Sequence, residues 1–145
     1  MKRSARLSVA LHALVHLVDK PEAITSTILS ECLMTNPVVV RRVMGELREA
    51  GIVSSAKGHD GGWRLTRAPG EVSLQDVHAA LGETLLLRAE SDPGDTACTI
   101  VRTVDRVMTD FLADAEALLA ARLKRISLAD LARNSAHDHK TIPGV

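Results

Sequence analysis

Apolar residues at Val40, Val43, Met44 and Leu47 recur at spacings of three and four, which gathers them on one helical face. Val38, Arg41, Arg42 and Gly45 fall mostly on the opposite side. Asn36 before this run is a good N-cap, Pro37 suits the first helical position, and Gly51 is a helix-stop glycine. After it the period changes. Ile52 and Val53 begin a strand, the run from Lys57 to Gly62 must turn, and Trp63, Leu65 and Arg67 alternate with Arg64 and Thr66 as a returning strand.

The same reading places helices elsewhere. Residues 4–19 (Leu7, Val9, Ala10, Leu11, Leu14, Val15, Leu17, Val18) are apolar nearly all round, predicting a helix buried on most sides. Residues 24–33 predict a second helix, and residues 73–82 another, with Ser73 as cap and Gly82 as stop. Residues 88–97 are polar and predict a loop. From about Thr99 to Lys124, Val101, Val104, Met108, Phe111, Ala115 and Leu118 form a narrow seam that Ile100, Val107, Leu112 and Leu119 widen. No long partner helix exists in the chain, so the seam predicts a symmetric homodimer. Ser127 caps a last short helix, and the tail after Asn134 is expected to be flexible.

Helix, tight turn, second helix and glycine-built hairpin together make a winged helix-turn-helix, which sets a helix in a DNA major groove with a hairpin beside it. The expected fold is therefore mainly α with a small β-hairpin wing, plus a long dimerisation helix. Its divisions are a winged helix-turn-helix at 1–82, a loop at 83–98, the dimerisation and C-terminal helices at 99–134, and a tail at 135–145. The candidate DNA-binding residues are Asn36, Val38, Val39, Arg41 and Arg42 at the second helix, and Lys57, His59, Gly61, Gly62 and Arg64 on the hairpin. Arginine is the usual bidentate partner of guanine, and the hairpin cations suit phosphate or a minor groove. Lys2, Arg3 and Arg6 could touch phosphate as well.

These residues resemble the Rrf2-type bacterial transcription regulators. The similarity is carried by Leu47-Arg48-Glu49-Ala50-Gly51-Ile52-Val53-Ser54-Ser55, by Lys57-Gly58 and by Gly61-Gly62-Trp63-Arg64-Leu65. Ser73-Leu74-Gln75-Asp76-Val77 fits the family's next helix, and the likeness covers roughly residues 1 to 132. Trp63 stands where the family usually has tyrosine or another residue. The resemblance implies a dimeric winged-helix DNA-binding protein acting on a palindromic operator. Many members also hold an iron–sulfur cluster on three closely spaced cysteines before the long helix. Here only Cys98 lies in that region, so no cofactor is expected. His12 and Asp95 are the residues that could make up a ligand set across a dimer.

Charge adds one point. The chain is neutral overall, but residues 1–70 hold 10 Lys+Arg and 6 Asp+Glu, net +4, and residues 71–145 hold 8 and 12, net −4. The positive half carries the helix-turn-helix, and phosphate neutralisation needs local charge only. At 46% hydrophobic residues, wholesale disorder is not expected. No run reaches transmembrane length and no signal-peptide pattern is visible, which predicts a cytoplasmic protein with no membrane partner.

The two cysteines, Cys32 at the end of the first motif helix and Cys98 at the start of the long helix, are the candidate redox-sensing pair. The family includes thiol-based sensors, so oxidation joining Cys32 of one subunit to Cys98 of the other is one expectation. Against it, Cys32 could be a small buried core residue. His12 and His16, one helical turn apart, could share a metal or simply pack. There is no phosphate loop, nucleophile elbow or catalytic constellation. Three functions stay open: a DNA-binding regulator, expected to be a repressor, tuned by cysteine oxidation; the same regulator tuned by a small ligand; or a winged-helix protein-interaction module.

Overall fold

The computed structural model describes residues 5–58, 61–83 and 98–138. His59, Lys2, Arg3, Asp95 and the expected loop at 88–97 lie outside the described residues. The element order is α1 (Ala5–Val18), α2 (Ser26–Leu33), α3 (Pro37–Glu49), β1 (Val53–Ala56), β2 (Gly62–Leu65), a 3-10 turn (Pro69–Glu71), α4 (Leu74–Leu81), α5 (Thr99–Lys124) and α6 (Leu128–Asp138).

One core organises these elements. α1 buries Ala10, Ala13, Leu14 and Leu17, an i, i+3, i+4, i+7 stripe that packs on α2, α3, α4, β2 and α6. The expectation of burial on most sides was too broad: Leu7, Val9, Leu11 and Val18 are half-buried at the margins and His12 is exposed. α3 turns Val40, Val43, Met44 and Leu47 inward, the four residues its period selects.

Local chemistry fixes the element ends. Thr25 caps α2, its Oγ1 accepting from the Ile28 N–H at 3.2 Å. Asn36 Oδ1 accepts from the Val38 N–H at 2.8 Å, with Pro37 at the first helical position of α3. α2 ends on Met34 in the left-handed conformation (φ 52°), and Thr35 N–H reaches back to the Ser30 carbonyl at 3.0 Å.

The wing is a two-stranded antiparallel hairpin in the register Val53↔Leu65, Ser54↔Arg64, Ser55↔Trp63, Ala56↔Gly62. Ile24 adds a third, single-residue rung: its N–H donates to the Trp63 carbonyl at 3.1 Å and the Trp63 N–H returns to Ile24 O at 2.9 Å. A Cβ on Gly62 (φ 151°) would lie 2.7 Å from the Ile24 carbonyl carbon and oxygen, so only glycine permits this approach. Trp63 is buried, and its indole Nε1–H donates to Ser26 Oγ at 2.8 Å.

The C-terminal part returns to the same core. Leu74 N–H donates to Ile126 O and Leu128 N–H to Val72 O, both at 2.9 Å, setting the starts of α4 and α6 side by side. Each helix opens with a reciprocal cap: Ser73 with Asp76, and Ser127 with Asp130. Hydrogen bonds from the Ser127 backbone and hydroxyl, then from Arg133, hold the Asp130 carboxyl below its ordinary pKa. Leu128 is fully buried. The tail expected after Asn134 instead begins as helix, because the Ser127 cap launches α6 through Asp138.

Gly62→Ala is expected to destabilise the fold by about 2 kcal/mol or more, through positive φ and backbone overlap, seen as a lower Tm. A second expectation concerns pH. Burial first, then the His12 and Lys20 charges, hold the His16 pKa below its usual 6.5. The unfolded chain therefore takes up a proton that the folded chain resists. Stability should be unaffected by His16 above pH 6.5 and fall as pH drops below it, and His16→Gln should flatten that part of a pH series of melts.

Candidate nucleic-acid interface

α3 is fixed in the core by one face, which settles what the other presents. At about 100° per residue, Arg42, Gly45 and Glu49 lie within about 40° of the line through Val38, and Arg41 about 60° from it. Val38 is 62% exposed and Val39 38%. Arg41 and Arg42 are exposed, and among the described residues neither makes an ion pair. Gly45 is in mid-helix, where glycine costs about 1 kcal/mol relative to alanine. Among the described residues a Cβ there would meet nothing within 4 Å, so none of them requires the glycine. The α3 period places Gly45 on the outer side, and its spacing of seven from Val38 is the signal the sequence carries for it.

The wing is joined rigidly to α3. Gly51 turns at φ 75°, the Ile52 N–H donates to Leu47 O at 3.0 Å, and Arg48 Nη1 donates to Ser55 Oγ at 3.3 Å. Arg64 sits on the exposed side of β2, opposite the buried face of Trp63, and Lys57 follows β1, also exposed. Gly61 and Gly62 have intramolecular work in this hairpin. A Cβ on Gly61 would approach Ala56 O to 2.7 Å and Gly58 O to 2.8 Å, and Gly62 admits Ile24. Asn36 likewise spends its side-chain oxygen on the α3 cap.

Arg6 differs from expectation. Its guanidinium is held by two carboxylates, Glu46 on α3 and Glu83 after α4, the latter at 3.3 Å. It therefore braces the start of α1 against α3, where contact with phosphate had been expected.

The cysteines are both at the surface: Cys32 on the outer side of α2 and Cys98 at the N-cap of α5. Exposure overturns the reading of Cys32 as a core residue. The His12 and His16 rings stack with centroids 5.0 Å apart. Two polar atoms on α4, Gln75 Oε1 and His78 Nε2, are buried with no hydrogen-bond partner among the described residues. α4 packs against α1, α3 and α5.

α5 has no buried residue over its 26 positions. Ile100, Val101, Val104, Val107, Met108, Phe111 and Leu118 are well exposed, while Leu112, Ala115 and Leu123 are half-buried. Ala115 on the predicted seam and Leu112 beside it are thus partly covered within the chain. No helix among the described residues is long and apolar enough to cross a membrane.

Comparison with known proteins agrees with this geometry. The model of the Rrf2 family, described as an iron-dependent transcriptional regulator, matches residues 3–134. The chain belongs to the Rrf2 family. It is similar to YwnA of Bacillus subtilis (strain 168), which carries the name of an HTH-type transcriptional regulator: 29% identity over 128 residues, covering 88% of this chain and 95% of YwnA. Among solved structures, one described as a DNA binding protein superposes with a TM-score of 0.71 at 26% identity, over 88% of this chain and 98% of that one. The T. potens IscR structure superposes at 0.72 with 20% identity, over 99% and 94% of the two chains, a likeness of fold. The mainly helical fold with its two-stranded wing is shared with these structures.

The family's description raises the question of iron. Among the described residues no three His, Cys, Asp or Glu side chains are grouped to hold a metal ion. The chain has two cysteines, on different elements, whereas a cysteine-held cluster takes about four ligands. The donors on the described residues do not fit such a centre.

Arg6→Ala should lower stability by about 0.5–1 kcal/mol, the scale of a partly exposed ion pair, and the deficit should shrink as salt is raised in parallel melts.

Proposed function

We propose that this Rrf2-family chain is a cytoplasmic, homodimeric, sequence-specific DNA-binding regulator that represses transcription from a palindromic operator. The observation that carries this reading is the outer line of α3. Val38, Arg41 and Arg42 are exposed beside a wing bearing Lys57 and Arg64, and none of these cations has an ion-pair partner among the described residues. The arginines would reach base edges or phosphates of the major groove, and Lys57, His59 and Arg64 the flanking backbone. Gly61 and Gly62 would serve indirectly, by letting the hairpin close against Ala56, Gly58 and Ile24.

The uncovered apolar side of α5 supports the dimer. A helix of 26 residues, about 39 Å long, that buries no side chain within its own subunit has its seam available for a second copy. Two-fold pairing would then present two recognition helices to two half-sites.

For control, the surface position of both thiols supports oxidation as the signal. A disulfide between Cys32 of one subunit and Cys98 of the other would form with two electrons and two protons passing to a small-molecule disulfide. Cys32 lies two residues before the turn into α3, so its modification would act close to the reading surface. A second reading, control by a small polar ligand, draws on the buried Gln75 Oε1 and His78 Nε2 atoms on the helix that touches both α3 and α5.

The test is a titration against DNA from upstream of the chain's own gene, first with reductant and then with a small-molecule disulfide. Tight binding that weakens steeply with salt is expected. Removal of Arg42 should weaken it by about 1–3 kcal/mol if the arginine reads a base. Salt-indifferent binding, or none, would overturn the DNA-binding reading. Sedimentation should give twice the 15.6 kDa chain mass, and Phe111→Glu should move it to monomer. A Cys98→Ser variant that responds to oxidant like the parent would sink the paired-cysteine switch, and a response surviving loss of both cysteines would favour the ligand.

A further inference from the structure

We propose that Val38 reads the 5-methyl group of a thymine in the major groove, next to the bases or phosphates met by Arg41 and Arg42, with Gly45 left bare so that α3 can lie close to the DNA. The proposal rests on the DNA-binding reading above and specifies what that surface recognises.

Four observations converge on it. Val38 is the most exposed side chain of the α3 outer line that is apolar, at 62%, and it stands at the second helical position, where recognition helices meet base edges. Its backbone N–H is held by the Asn36 cap, and a β-branched side chain in a helix has essentially one rotamer. The methyl groups are therefore aimed before binding, at little entropic cost. The neighbouring cations fix the partner's sign: Arg41 and Arg42 are exposed without ion pairs among the described residues, which suits a polyanion and opposes an apolar protein surface. Finally, Gly45 lies two turns further along the same line as Val38, and among the described residues nothing comes within 4 Å of a Cβ built there. Absence of bulk there is explained by close approach of something outside the chain.

Thymine is the base that matches. Its major-groove edge carries the C5-methyl, whereas adenine and cytosine present amino groups that valine cannot satisfy. An amino group pressed against valine loses its water without gaining a partner, so the apolar contact also selects against those bases. Burial of one methyl group corresponds to about a fourfold change in affinity.

The test uses the full chain and a duplex selected for binding from a random-sequence pool. Thymines in each half-site are replaced one at a time by deoxyuridine, which removes only the methyl group, and affinity is read by fluorescence anisotropy. At one position per half-site the parent should bind the deoxyuridine duplex about fourfold more weakly. Val38→Ala should bind the two duplexes alike at that position, the coupling a double-mutant cycle isolates. Gly45→Ala should melt no lower than the parent and bind the selected duplex at least about tenfold more weakly. Tight binding with a flat deoxyuridine profile, or undiminished discrimination by Val38→Ala, would overturn the thymine contact while leaving DNA binding in place. Undiminished binding by Gly45→Ala would overturn the close approach. Failure to select any duplex would overturn the DNA-binding reading, and this one with it.

Discussion

The rest of the structure depends on how closely the backbone of Ile24 approaches the wing. Two backbone hydrogen bonds join Ile24 to Trp63, and the preceding Gly62 has no room for a side chain against the Ile24 carbonyl. That contact ties the segment leading into α2 to β2. Because β2 pairs with β1 and β1 follows α3 through the Gly51 turn, the loop of constraints closes on itself. The helix-turn-helix and the wing are thereby joined at both ends, and the exposed faces of two separate stretches of chain are set side by side. Trp63 strengthens the joint by sinking its ring into the core while its N–H reaches Ser26, at the start of α2.

Around this joint the charges are sorted by whether the fold uses them. Arg6, Arg48 and Arg67 are engaged by Glu46 and Glu83, by Ser55, and by Asp76 and the Glu71 carbonyl respectively. They brace α1 to α3, α3 to the wing, and the wing's exit to α4. Arg41, Arg42, Lys57 and Arg64 point outward with no such partner among the described residues, although a carboxylate occurs nearby in sequence at Glu46 and Glu49. In a chain with zero net charge this sorting matters more than the total, since phosphate responds to charge within a Debye length of about 8–10 Å.

The same division holds for apolar surface. α1, α3 and α4 spend theirs on the core, and α6 adds Leu128 to it through the paired caps at Ser73 and Ser127. α5 keeps its surface exposed. The cysteines lie at two margins of this arrangement, one near the end of α2 and one at the root of α5.

Much of this was written in local patterns. The 3-and-4 spacing of Val40, Val43, Met44 and Leu47 determined the inner face of α3, and with it that Val38, Arg41 and Arg42 face out. Ser73, Ser127, Asn36 and Gly51 marked helix ends because capping and positive φ are decided within a few residues. Tertiary structure alone decided the rest. Whether Arg6 meets phosphate or carboxylate depends on residues 40 and 77 positions away. Gly62 is explained by a backbone 38 positions upstream, and α6 outlasts its expected end once its first turn is clamped to α4. The exposure of Cys32 and, among the described residues, the clearance of a Cβ at Gly45 are likewise properties of the space around a position, which a one-dimensional period cannot express. Periodicity states which residues share a face; only the packed chain states what that face meets.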